Sequence, residues 1–290
     1  MNAIKTFLVA AREPVSTRLA FERARLMANP GDRIVLAHVE RRGFLKFLGE
    51  GELRHVMPVG QLANWTSTSW LDEVARASDT DPTLNIEIVL LTGEPAQAIG
   101  AYAQNIGAAA IIVAAHRDGA VREIFIGSTS LRILRHAPCP VVVTRHGPVR
   151  EYRKVVAAVD FDPAAERVIA ATLNLLPKTE LTLLHVYRIP DDIQRRMNDA
   201  GENSLLDPIR EHLRVEAEHE LLHINALAPQ AKTILQYGFT ATEVLKLILH
   251  EKSDVLVISQ HRGSFRHERL IGSTTQFLLY NCLCDLVLVP

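Results

Sequence analysis

Ile126-Gly127-Ser128-Thr129 occurs again, 145 residues later, as Ile271-Gly272-Ser273-Thr274. Working outward, His116-Arg117 recurs as His261-Arg262, Glu123 as Glu268 and Cys139 as Cys284, all at the same spacing. The chain has 290 residues, so its two halves read as two copies of one domain. Solenoid repeats are shorter, roughly 20–50 residues, so this is a domain duplication. Further upstream, Lys5–Arg12 matches Arg153–Asp160 and Ile34–Val39 matches Leu181–Val186. The spacing there drifts by a few residues, as expected where loops differ and elements keep their order. The polar stretch Arg145-His146-Gly147-Pro148-Val149-Arg150 is the expected boundary. It gives domains of 1–148 and 149–290, each large enough for its own core.

Within each half, short apolar runs alternate with segments of helical period. In the first half the runs are 6–11, 33–39, 84–91, 109–115 and 140–144. They are apolar on both faces, as strands buried in a parallel sheet must be. Ser16 or Thr17 is expected to cap a first helix running through Ala28. Gly93-Glu94-Pro95 opens a later helix with proline near its first position. Thr240-Ala241-Thr242-Glu243 stands at the matching place in the second half and has the form of a capping box. The expected fold is α/β, two repeated doubly wound domains, each with a five-stranded parallel sheet flanked by helices. Ligands of such sheets bind beyond the C-terminal strand ends, at the switch in strand order. That places Arg12 and Asp160 at one side of a crevice, and the loops 114–129 and 259–274 at the other. The Gly-Ser-Thr at each loop end offers backbone N–H groups and hydroxyls that suit a phosphate. The same tripeptide also suits a plain helix cap.

Composition narrows the function classes. Hydrophobic residues make up 48% and charged residues 22%, with a net charge of −1 and no block of like charges. Nucleic-acid and membrane-surface partners are therefore not expected. The longest apolar run, 108–115, is far shorter than the roughly 20 residues of a membrane helix. Met1–Lys5 leads into a strand-like run and not into the apolar core of a signal peptide. The three cysteines have no metal-binding spacing, and their odd number suits a reducing compartment. The expected location is cytoplasmic.

Several stretches together resemble the universal stress protein family: Val159-Asp160, Leu184-His185-Val186, Gly93-Glu94-Pro95, Asp254-Val255-Leu256-Val257-Ile258, and Pro138-Cys139-Pro140-Val141-Val142-Val143. The matches fall in family order and cover both halves, so the chain resembles a tandem universal stress protein. The resemblance implies a stress-response regulatory protein and an adenine nucleotide such as ATP as the ligand class. It places Asp160 and the backbone of Val186 at the adenosine end. His261, Arg262, Gly272, Ser273 and Thr274 fall near the phosphates, and His116, Arg117, Gly127, Ser128 and Thr129 form the equivalent set in the first half. It also implies that the halves pair within the chain through their last strands, 141–144 and 286–289. A homodimer of the whole chain is left open.

The departures from the family are specific. Its glycine motif, G-x2-G-x9-G-[ST], keeps only the final Gly-Ser in each half; the first two glycines fall on Ala114 and Arg117, and on Ser259 and Arg262. Each arginine either blocks the path of a triphosphate or grips a phosphate with its planar fork. The first half also has Arg12 and Ala109 where the second has Asp160 and Asp254. The first site is thus expected to be degenerate, and any nucleotide binding to be weak and to reside in the second half. The alternative is a scaffold in which neither site binds nucleotide.

Other motifs point elsewhere. His219-Glu220-Leu221-Leu222-His223 spells H-E-x-x-H, which on a helix sets two histidines on one face with a glutamate between. His212 lies seven residues earlier, but no third ligand follows at protease spacing. A zinc-dependent hydrolase is the least favoured reading, and a solvated helix face the most. His38 and His185 read as satisfied core histidines, and Trp65 and Trp70 as packing or partner-surface residues. No nucleophile-base constellation, Walker motif or strand-end carboxylate pair is present, so no catalysis and no metal are expected.

Overall fold

The computed structural model describes residues 4–40, 69–76, 83–115, 126–145, 149–260 and 271–290. Two compact units divide the chain, Met1–Glu151 and Tyr152–Pro290. The stretch 146–148 of the expected boundary lies outside the described residues.

Unit 1 contains strands β1 (Thr6–Ala11), β2 (Arg33–Glu40), β3 (Asn85–Thr92), β4 (Ala110–Ala114) and β5 (Val141–Thr144). Between them lie helices α1 (Pro14–Met27), α2 (Ser69–Arg76), α3 (Pro95–Asn105) and α4 (Ser128–His136). Their strand order is β3-β2-β1-β4-β5, and the pairs are parallel. The chain winds outward from β1 to β3, then crosses back to β4 and β5. Right-handed crossovers in opposite directions put α1 and α2 on one face and α3 and α4 on the other. Covered on both faces, the central strands bury Phe7, Leu8, Val9, Ile111 and Ile112 completely. Each such side chain contributes about 1.5–3 kcal/mol of transfer free energy.

Unit 2 repeats the plan. It has β6 (Lys154–Ala158), β7 (Glu180–Tyr187), β8 (Lys232–Tyr237), β9 (Val255–Ser259) and β10 (Asp285–Val289). The order is β8-β7-β6-β9-β10, again parallel. Its helices are α5 (Pro163–Leu175), α6 (Asp191–Ala200), α7 (Leu206–Asn225), α8 (Thr240–Glu251) and α9 (Ser273–Asn281). The α6–α7 segment is the long connection between β7 and β8, and α7 packs on those two strands. No helix among the described residues is long and apolar enough to cross a membrane.

Two caps differ from expectation. Helix α1 starts at Pro14, with Glu13 as N-cap and no side-chain cap bond. Proline at the first position presets the helical φ, so the helix begins earlier than Ser16 or Thr17 would set it. Thr17 Oγ1 instead accepts from the Arg12 N–H at 3.1 Å. Likewise Phe239, not a threonine, is the N-cap of α8, and no capping box forms. Glu243 turns instead to Lys246, 2.8 Å away. At α3 the expectation holds: Pro95 opens the helix, and the Glu94 carboxylate accepts from the Gln97 N–H at 3.0 Å.

Candidate functional site

The switch point of each sheet lies between its first and fourth strands, and a cavity opens there in each unit. In unit 2 it measures about 300 Å³ and is lined by Asp160, Val186, Thr240, Ser259, Gly272, Ser273 and Thr274, among others. In unit 1 it measures about 430 Å³ and is lined by Arg12, His38, Pro95, Gly127, Ser128 and Thr129, among others. Both volumes fall in the range of about 300–1,000 Å³ usual for small-molecule sites.

The glycine ends of the loops fold alike. Gly127 is the N-cap of α4 with φ −58° and ψ 151°, and Gly272 the N-cap of α9 with φ −59° and ψ 154°. Neither helix receives a side-chain cap bond or has an acidic residue in its first turn. The plain hydroxyl-cap reading of Gly-Ser-Thr is thereby not what the backbone does. Ser128 and Ser273 are already first-turn residues, and among the described residues no side chain caps either first turn. Such a turn carries partial positive charge and suits an anion.

The opposite wall differs between the units. Asp160 follows β6 with its side chain 76% exposed, so its carboxylate is open to a ligand. Beneath it, His185 is buried and its Nδ1 lies 2.9 Å from the Val159 carbonyl. A carbonyl only accepts, so Nδ1 carries the proton and donates. The Phe161 ring stacks on His185 at 3.9 Å between centroids. This stack fixes the turn after β6 and was not foreseen, because ring stacking across a strand-end turn has no sequence spacing of its own. In unit 1 His38 donates in the same way to the Ala11 carbonyl, at 3.0 Å, and Trp70 meets its ring edge-on at 5.7 Å. His185 is a satisfied core residue, as read from its strand; His38 is satisfied at Nδ1 but half-buried, and it lines the cavity. Trp65 lies outside the described residues.

Arg12 takes the place of Asp160 in unit 1. Its guanidinium reaches across the cavity, so that a Cβ added at Gly127 would lie 3.3 Å from Nη1. Nothing in the local sequence signals this reach. It arises because the β1 and α4 ends face each other over the switch point.

Asp254 requires a correction. Its carboxylate accepts from the Arg153 and Lys154 N–H groups at 2.7 and 2.9 Å. It therefore clamps the start of β6 at the N-terminal end of the sheet, away from the cavity. Its carboxylate thus serves the β6–β9 junction and is not part of the cavity lining. Five of the expected residues, Asp160, Val186, Gly272, Ser273 and Thr274, line one cavity. His261, Arg262, His116 and Arg117 lie outside the described residues, so the two readings of the arginines rest on sequence.

The H-E-x-x-H segment lies on α7. His219, Glu220 and His223 are exposed, and the two rings meet edge-on at 4.7 Å. Among the described residues no group of three or more His, Cys, Asp or Glu side chains is placed to hold a metal ion.

The universal stress protein family model matches residues 3–145 and again 151–290. Among solved structures, a universal stress protein from Archaeoglobus fulgidus DSM 4304 is similar at 17% identity and a TM-score of 0.68, over 98% of this chain and 97% of that one. A functionally unknown protein from Pseudomonas aeruginosa PAO1 is similar at 17% identity and a TM-score of 0.64, over 99% and 92%. At these identities the likeness shows the fold alone. No curated protein matches the chain in sequence. With the family matched once in each half and the repeated fold, the chain belongs to the universal stress protein family and carries two of its domains in tandem.

Proposed function

We propose that this protein is a stress-response regulator that binds an adenine nucleotide weakly, through its second domain, and performs no catalysis. The observation that carries the reading is one cavity lined by Asp160 and by the start of α9 at Gly272-Ser273-Thr274, which no side chain among the described residues caps. A carboxylate accepts from ribose hydroxyls or adenine donors, and a helix N-terminus takes the phosphates. Family membership supports the stress-response role; the site supports the ligand class. On this reading the protein acts in the cytoplasm.

The first cavity is the larger, but Arg12 supplies only donors where hydroxyls need an acceptor. Chemistry outweighs size here, because a hydrogen bond to a charged group contributes about 1.5–3 kcal/mol and spare volume contributes nothing. For the first domain, then, the reach of Arg12 toward Gly127 favours the alternative of a site that holds no nucleotide. Native mass spectrometry of gently purified protein separates the readings. One adenine nucleotide per chain is expected. Bare protein that stays bare when ATP is added would leave the scaffold reading, and stoichiometric zinc would revive the hydrolase.

A further inference from the structure

Cys282 and Cys284 flank Leu283 between α9 and β10 and are not disulfide-bonded. Their sulfurs lie 3.2 Å apart. In a regular extended segment, residues on either side of a neighbour share a face, yet their side chains run parallel and do not converge. Here the backbone leaves the helix at Cys282, whose N–H closes α9 on the Leu278 carbonyl at 2.9 Å. Leu283 then swings outward, 67% exposed, and the two flanking thiols meet beneath it. Cys282 is fully buried, while Cys284 is partly exposed.

We propose that Cys282 and Cys284 form a reversible modification site, a dithiol that closes to a disulfide on reaction with a low-molecular-weight disulfide. The partly exposed Cys284 is the attacking thiol. Its thiolate displaces one thiolate from the small disulfide and forms a mixed disulfide. The buried Cys282 then loses its proton and attacks the Cys284 sulfur, expelling the second small thiolate. Two electrons and two protons pass from the pair to the small disulfide, which leaves as two thiols. Exchange of this kind needs thiolate and access, and contact between the two sulfurs speeds the second step. The ring that closes across a single residue is small and strained, so the bond is readily reduced again. Because the thiolate is the attacking form, the reaction quickens as pH rises.

The repeat provides an internal comparison. Position 137 in the first half is Ala where the second has Cys282, so Cys139 stands without a vicinal partner. Burial pushes its thiol up to about 12. The dithiol is therefore a property of the second domain only.

The test uses the full chain treated with oxidised glutathione, then denatured, alkylated and weighed. The expected product has lost two of its three titratable thiols and two hydrogen atoms, with the one label on Cys139, and dithiothreitol restores all three. Cys282→Ser should stop at a glutathione adduct on Cys284, which the wild type does not accumulate. Wild type that retains three thiols, holds glutathione permanently, or links Cys139 would overturn the proposal. The wild-type result stands by itself should the variant fold poorly.

Discussion

Arg12 and Asp160 end the first strands of the two repeats with opposite charge, and that one difference separates the cavities. Asp160→Ala removes the acceptor and should weaken ATP binding about tenfold or more, the equivalent of one hydrogen bond to a charged group. Arg12→Ala should leave ATP affinity of the full chain unchanged; titration by calorimetry or by fluorescent nucleotide analogue checks both. Cys139 allows a separate test. Its ordinary value is 9.0 and burial raises it to about 12 in the folded protein. Folded protein then holds the proton while unfolded chain has lost it, so stability from this group is complete below pH 9 and falls as pH climbs toward 12. Cys139→Ala should accordingly flatten the loss of stability above pH 9, read from urea midpoints against pH. An unchanged slope would place the thiol in a more open setting.

At the scale of elements, the strands were legible in the sequence almost to the residue. The run 6–11 is β1, 140–144 contains β5, and 84–91 is offset by one residue from β3. Burial on both faces of the central strands leaves no alternation to misread there, and flanking polar residues mark the ends; the edge strand β3, with no fully buried residue, is read from its apolar run alone. Helix starts were less legible, because several residues compete for one cap. Pro14 pre-empts Ser16 at α1, and Gly238 sets the entry to α8 before Thr240 can cap it. Gly238 has φ +147°, a conformation that side-chain-bearing residues rarely adopt. A Cβ there would also lie 2.9 Å from Glu243 Oε1, though that carboxylate can move aside. Strain dominates, so Gly238→Ala should cost about 1–3 kcal/mol. Gly93 at the matching turn has φ +121° and open space around it, so Gly93→Ala should cost a comparable amount. Thermal unfolding of the two variants compares them; no loss in either would refute the strain argument. Of the site, the Gly-Ser-Thr ends and Asp160 were legible because each is a local motif at a strand or helix end. Asp254 was legible as the start of the fourth strand, but not its partners there, the Arg153 and Lys154 N–H groups at the N-terminal end of the sheet. The reach of Arg12 and the Phe161–His185 stack join residues that no motif connects.

At the scale of the whole chain, duplication supplies two copies of a cavity, and divergence has left them chemically unequal. The second keeps an acceptor opposite a helix start; the first faces a helix start with a cation. The H-E-x-x-H histidines stand on α7, in the connection between β7 and β8, and do not line the cavity of unit 2. His219→Ala should therefore leave nucleotide binding and folding unaffected. A duplicated protein with one competent site should bind one nucleotide per chain. The most direct measurement is isothermal titration calorimetry of the intact chain with ATP, repeated on Asp160→Ala and Arg12→Ala. One weak site per chain, lost in Asp160→Ala and retained in Arg12→Ala, is the predicted result. Two equivalent sites, or binding that survives Asp160→Ala and disappears in Arg12→Ala, would contradict it.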